Sequence, residues 1–230
     1  MGTTMQRKAI VFAHADGDGH LAAVQTMENL DKEGIEIIDV VVDPTATGSY
    51  RFWEQHFGIC ELGDADLVVV VDIMFNARNP ISSYHALAAR VAAEPDRQFV
   101  VIDHHPVSQL PASPHNLDIR FVRSVYACCY GDPSELMLLA AICDHDEQPV
   151  KARLTDLHKK RAKGVKRAVT DYPGLAGKPT LKLIGDRAWA VFETLADEPA
   201  EFHRTMYGRR TKRDSQSPLL QVAHAVRFGT

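Results

Sequence analysis

Acidic and imidazole side chains stand at the ends of four apolar runs in this 230-residue chain. "KAIVFAH" leads into "ADGDG" and supplies His14, Asp16 and Asp18; "LVVVV" ends in Asp72; "FVVI" ends in Asp103, His104 and His105; "LMLLAAIC" ends in Asp144. Three or more carboxylates in one cleft repel one another and are costly to strip of water. Divalent cations remove that cost. Asp16, Asp18, Asp72 and Asp144 with His14 and His104 make a mixed oxygen and nitrogen set that suits Mn²⁺, Fe²⁺, Co²⁺ or Zn²⁺, whereas Mg²⁺ more usually takes oxygen alone. Six ligands exceed what one open catalytic ion needs. They suffice for two ions about 3.5–4 Å apart, an arrangement that activates water and clamps a phosphoryl oxygen.

Such convergence needs elements that bring distant residues to one edge. Residues 8–14, 35–43, 67–73 and 98–105 read as buried strands, short and rich in branched side chains. "LVVVVDI" shows no alternation, as expected of a strand covered on both faces. Leu21, Val24, Met27 and Leu30 recur at helical spacing, and "SSYHALAARVAA" (82–93) suits a helix. Strands alternating with helices imply an α/β fold with an open, mostly parallel sheet of about five strands flanked by helices. "DPSELMLLAAICD" (132–144) reads as a buried helix capped by Asp132, with Pro133 in its first turn and Glu135 completing a capping box. In an open parallel sheet, ligands bind beyond the carboxyl ends of the strands. The polar residues above all belong there.

"HADGDG", a strand-terminal Asp72, "DHH" and a later Asp at a helix end resemble, in order, the four motifs of DHH-superfamily phosphoesterases over roughly residues 8–145. That superfamily includes RecJ-type single-strand exonucleases, nano-RNases, cyclic-dinucleotide phosphodiesterases and family II pyrophosphatases. The resemblance implies that His14 and Asp16 hold one ion, that Asp18 and His104 hold the other, and that Asp72 bridges them. Asp144 joins the metal shell; Asp146, two residues on, is the alternative. His105 would face the substrate phosphate as a donor, and Asp103 would orient an imidazole by hydrogen bond. Asp72, His104 and His105 are thus the expected catalytic residues. The expected cofactor is a pair of Mn²⁺ ions, with Mg²⁺ or Co²⁺ as substitutes.

Charge divides the chain. Residues 1–150 carry 9 Lys/Arg against 22 Asp/Glu, and residues 151–230 carry 17 against 8. The expectation is a catalytic domain over 1–150 and a small, mainly helical basic appendage over 151–230, with a Gly/Pro-rich linker at 171–180. Residues 151–170 carry eight basic side chains and one acid and read as a surface helix. Lys159, Lys160 and Arg161, with Lys163, Lys166, Arg167 and the later Arg209, Arg210, Lys212 and Arg213, would attract a polyanion. Ile184, Ala188, Val191 and Leu195 mark a further amphipathic helix, on which Trp189 and Phe192 read as core. The appendage lacks the glycine-rich run followed by His of the nuclease branch. "GRRTKRD" matches the Arg-Lys pair of the pyrophosphatase branch in composition only.

Rival meanings of these residues are weaker. A calcium loop starting at Asp16 needs a bidentate acid at its twelfth position, which is Met27. A haloacid-dehalogenase DxD motif requires neither His14 nor "DHH". His20 reads as a solvated residue or one lining the cleft, and His145 as exposed or hydrogen-bonded behind a ligand. Cys128 and Cys129 read as structural thiols, since no partner base is evident. The four cysteines form no C-x-x-C pair, and neither a membrane-span run nor a signal-peptide pattern is present, so a reduced cytoplasmic protein off the membrane is expected. Three functions follow. The first is a two-metal phosphoesterase acting on short oligonucleotides or linear or cyclic dinucleotides, as a monomer or homodimer. The second is a hydrolase of pyrophosphate, polyphosphate or nucleoside bisphosphates. The third is a non-catalytic nucleic-acid-binding module on a DHH scaffold.

Overall fold

A computed structural model describes residues 6–14, 16–43, 52–107 and 109–171. The elements run β1 (Lys8–His14), α1 (Gly17–Lys32), β2 (Glu36–Asp43), β3 (Leu67–Val71), α2 (Pro80–Ala92), β4 (Gln98–Asp103), β5 (Leu117–Phe121), α3 (Glu135–Cys143) and α4 (Asp156–Asp171). The five strands form one sheet in the order β2-β1-β3-β4-β5, and every pair is parallel. The chain leaves β1 in one direction to β2 and crosses to the other side to enter β3. That reversal makes a crevice at the carboxyl ends of β1 and β3, where ligands of doubly wound folds sit.

Helices cover both faces, so the central strands are apolar on both. Ala9, Val11 and Ala13 of β1, with Val69 and Val71 of β3 and Val100 and Ile102 of β4, pack against α1, α3 and α4. Ile10 and Phe12, Val68 and Val70, and Phe99 and Val101 face the opposite core. That second core is aromatic. Phe12, Phe52, Trp53, Phe57 and Phe75 pack ring against ring at 5.0–5.7 Å. Phe52 and Trp53 reach it from a single π-helical turn, Phe52–His56, which the hydrophobic pattern does not announce. The fifth strand was also unannounced: "LDIRF" alternates over five residues at a sheet edge, and only Leu117 is fully buried.

Two local expectations change. Helix α3 is capped by Ser134, not Asp132. Gln25 of α1 accepts hydrogen bonds from the Ser134 backbone N–H, at 3.1 Å, and from its hydroxyl. This anchors Ser134 at the helix start and leaves Pro133 outside. The basic helix α4 is less of a surface element than its charge implies. Ala162 and Val165 sit in the first core, and Arg161 is only 8 % exposed, while Lys159, Lys160 and Lys163 are exposed. Its start is a reciprocal cap. The Thr155 hydroxyl accepts from His158 N–H at 3.3 Å, and His158 Nδ1 accepts from Thr155 N–H at 3.0 Å. The expected linker at 172–180, the helix around Ile184–Leu195 with Trp189 and Phe192, the side chains of Lys166 and Arg167, and Arg209, Arg210, Lys212 and Arg213 lie outside the described residues. Among the described residues, no helix is long and apolar enough to cross a membrane.

Candidate metal centre

Each expected metal ligand stands at or within one turn of the end of a strand or helix. His14 closes β1. Asp16 is the N-cap of α1: its Oδ1 accepts from Gly19 N–H at 3.0 Å, and its Oδ2 lies 2.6 Å from His14 Nδ1. Asp18 lies in the first turn of α1 and Asp144 at the C-cap of α3. Asp72 follows β3 with φ 58°, the left-handed region, which a short polar side chain tolerates better than most. Its N–H still bonds Ile102 O at 2.9 Å, so the ladder to β4 continues while the chain turns. A non-glycine residue held there at a strand end is a local strain typical of working sites.

These positions converge. Ligand-type atoms of His14, Asp16 and Asp72 all lie within 4.8 Å of one another, and so do those of Asp18, His104 and Asp144. His104 joins the two triplets: its Nε2 is 3.0 Å from Asp72 Oδ1 and 3.9 Å from Asp18 Oδ2, and its Nδ1 is 3.9 Å from Asp144 Oδ2. A third overlapping group brings Asp103 and His105 together with Asp72 and His104. All six expected ligands are therefore in one place. Asp146 is engaged elsewhere, accepting from Val125 N–H at 2.9 Å, and His145 is exposed.

The electrostatics of this cluster call for cations. Burial, then the charges of Asp72, Asp16 and Asp144, push the Asp18 carboxyl up to about 9. Burial, then Asp16, Asp103 and Asp144, push Asp72 well above the carboxylate range. Burial works the same way on Asp16, but the His14 contact and the Gly19 N–H outweigh it and hold that group at about 2. Asp72 is 2 % exposed; its Oδ1 and His104 Nε2 face each other at 3.0 Å without a well-formed hydrogen bond, and Asp72 Oδ2 and Asp103 Oδ2 are likewise buried with none among the described residues. Buried acceptors aimed at one another are costly unless something positive lies between them. The donor set, the spacing and these buried atoms all fit divalent metal.

Around the cluster, Asp103 is fully buried and its Oδ1 lies 2.8 Å from Nδ1 of the part-exposed His105 ring. His20 departs from expectation. It is 2 % exposed, with Nδ1 2.5 Å from Asp16 O, and burial lowers its pKa. Its spacing with Val24 and Met27 on the buried side of α1 was the available signal. Cys128 and Cys129 are buried, and burial raises both thiols, Cys129 to about 12. Thiols so disposed are inert.

Gly19 was not singled out, and the site depends on it. A Cβ there would lie 2.5 Å from His14 O and 2.9 Å from Asp72 Oδ2. Neither the β1 backbone nor the Asp72 carboxylate can retreat without opening the cluster. Gly19→Ala is expected to cost about 1–3 kcal/mol of stability and to weaken metal binding at least tenfold, read by thermal melts and metal titration. Unchanged metal affinity would show that the close approach is incidental.

No protein-family model matches the chain, and no curated protein matches it. Among solved structures it is similar to the exonuclease RecJ bound to manganese (14 % identity, TM-score 0.38, covering 96 % of this chain and 51 % of that one). It is also similar to CDC45 from Entamoeba histolytica (13 %, TM-score 0.37, 80 % and 33 %) and to an uncharacterized protein from Helicobacter pylori G27 (14 %, TM-score 0.45, 97 % and 70 %). The chain thus spans about half the length of that RecJ and a third of that CDC45. Four motifs in order, a parallel sheet that switches direction between β1 and β3, and six strand-end and helix-end side chains meeting at its carboxyl edge are the arrangement that the sequence's resemblance to DHH-superfamily phosphoesterases implies.

Proposed function

We propose that the protein is a divalent-metal-dependent phosphoesterase and that its substrates are short oligonucleotides or dinucleotides. The observation that carries this reading is the pair of triplets, His14–Asp16–Asp72 and Asp18–His104–Asp144, joined where His104 Nε2 stands 3.0 Å from the buried Asp72 carboxylate. His14 and Asp16 would hold one ion, Asp18, His104 and Asp144 the other, and Asp72 both. Cations there supply the positive charge that lowers the pKa of water and stabilises charge on phosphoryl oxygens; the nitrogen in the donor set favours Mn²⁺ or Co²⁺ over Mg²⁺.

The chain's own groups do the rest. The fixed carboxylates hold their geometry before substrate arrives, so little reorganisation is required during reaction. The Asp103 carboxylate fixes the His105 ring through Nδ1 and leaves Nε2 free of that contact. In the doubly protonated ring, Nε2–H would donate to a phosphoryl oxygen. His105→Ala is expected to lower kcat about 10²-fold while metal binding, read by calorimetry, stays within twofold. Equal loss of metal affinity would make His105 a ligand instead. Exposed Lys159 and Lys160, with Arg209 and Arg210, are proposed to draw the polyanion toward the acidic edge.

A substrate panel with Mn²⁺ tests the reading: a labelled dinucleotide, a longer single strand, a cyclic dinucleotide and pyrophosphate. Hydrolysis of a nucleotide phosphodiester that stops with chelator and returns with Mn²⁺ is expected. Activity that persists in metal-stripped buffer would overturn the mechanism. Phosphate released from pyrophosphate, with no cleavage of any nucleotide, would move the protein to the second function read from its sequence.

A further inference from the structure

Phe121 is 40 % exposed, and it is the one aromatic among the exposed large hydrophobic side chains Ile59, Ile81, Phe121 and Leu157 of the described residues. An isolated exposed phenylalanine is ordinary. Its position is not. Phe121 ends β5 at the carboxyl edge of the sheet, and its register partner on β4 is Asp103, whose carboxylate holds the His105 ring. Register partners in a parallel pair point to the same face and stand about 4.8 Å apart. Leu117, Ile119 and Phe121 follow the two-residue period on the aromatic-core face, the face that Phe99, Val101 and Asp103 share. The Phe121 side chain therefore leaves the sheet on the same face as the Asp103 carboxylate that holds His105.

The ring is also backed. Phe75 meets it edge to face at 6.0 Å, and Phe75 in turn stacks on Trp53 at 5.0 Å and 12°. Both inner rings are 1 % exposed, and Trp53 Nε1 is tied to Met74 O at 3.1 Å. Only the outermost ring of this series reaches solvent, on a support that holds it in place. Arg123, two residues further along, is exposed and adds positive charge at the same edge.

Building on the phosphoesterase reading, we propose that Phe121 is a stacking platform for a nucleobase of the substrate, placed beside the phosphate seat at His105. Stacking on an aromatic face tolerates any base, so the platform selects nucleotides over pyrophosphate without reading sequence. It is a substrate-binding residue rather than a participant in bond breaking. Its loss belongs in KM.

The test compares Phe121→Ala and Phe121→Trp with the wild type under Mn²⁺. Substrates are an adenine dinucleotide and the same linkage lacking the base next to the scissile phosphate. Binding of adenosine monophosphate and of ribose 5-phosphate is measured alongside by calorimetry. Phe121→Ala should raise KM for the dinucleotide by about 10- to 100-fold, with kcat within about twofold, and leave the abasic substrate unchanged. Phe121→Trp should restore wild-type KM. An equal KM rise on the abasic substrate, or none on either, overturns the proposal. If the wild type hydrolyses no phosphodiester, the phosphoesterase reading falls separately and binding decides. Adenosine monophosphate bound more tightly than ribose 5-phosphate, by the wild type and Phe121→Trp but not by Phe121→Ala, supports the platform. No preference in the wild type, or one retained in Phe121→Ala, overturns it.

Discussion

Asp72→Asn is expected to lower turnover at least about 10³-fold and, in the same molecule, to raise the melting temperature of the metal-free protein. Asparagine keeps the shape and tolerates the left-handed backbone at φ 58°, so the strand end and its bond to Ile102 remain intact. What changes is charge. Asp72 is 2 % exposed, its oxygens make no well-formed hydrogen bond among the described residues, and Asp16, Asp103 and Asp144 all oppose its ionisation. An amide removes that opposition and places a donor 3.0 Å from His104 Nε2, which can accept. The same change removes the proposed shared ligand of both ions, and 10³-fold is about 4 kcal/mol of transition-state stabilisation. Opposite movement of stability and activity is the signature of a site whose charges serve function at the expense of the fold. A variant that is both less stable without metal and still active would show Asp72 to be structural. Thermal melts in chelator and a Mn²⁺-dependent turnover assay make the comparison.

The second large effect is on stability as a function of pH and metal. A carboxyl whose pKa is raised in the folded state holds its proton over a range where the unfolded chain has lost it. Folding stability then falls as pH rises through that range. For Asp18 the range runs from the ordinary aspartate value of 3.8 up to about 9, and Asp72 shifts in the same direction. Asp16 shifts the other way, to about 2, and its contribution is lost only as pH falls below 3.8, outside the interval tested. Burial lowers the His20 pKa, so that group favours the higher pH, but Asp18 and Asp72 together outweigh it, and metal-free protein should be more stable at pH 5.5 than at pH 8, by on the order of a few kcal/mol. Mn²⁺ at a hundredfold excess over its dissociation constant adds about 2.7 kcal/mol. Protons compete for the same oxygens, so a fixed Mn²⁺ concentration should raise the melting temperature more at pH 8 than at pH 5.5. Equal stabilisation at both pH values, or none, would mean that the ions do not bind at these carboxylates.

How much of the site is legible in the chain depends on locality. The candidates follow apolar runs, and the run itself is the signal: β1 ends at His14 after six residues, the five of β3 lead to Asp72, and β4 ends at Asp103, just before His104, after five. Where the signal is a contact across the fold, reading fails. Ser134 caps α3 because Gln25, 109 residues earlier, bonds it. His20 is buried because its ring turns back onto the Asp16 carbonyl. Arg161 is buried because α4 packs against the core through Ala162 and Val165, although the surrounding sequence is strongly basic. Asp146 is the same residue type as Asp144, but Asp144 meets Asp18 and His104 while Asp146 accepts from Val125 N–H, a difference that appears only in the fold.

The amino-acid sequence by itself determined the alternation of strand and helix, the parallel sheet and the placement of aspartate and histidine at its carboxyl edge. Those properties follow from periodicity and burial, which are local. Tertiary structure alone decided the rest. It made β1 and β3 neighbours across the switch point and set 3.0 Å between His104 and Asp72. It brought Gly19 too close to that carboxylate for any side chain, and it laid Phe121 beside Asp103. Distances between residues tens of positions apart depend on how strands order in the sheet and how helices pack on it, and no local pattern encodes that order.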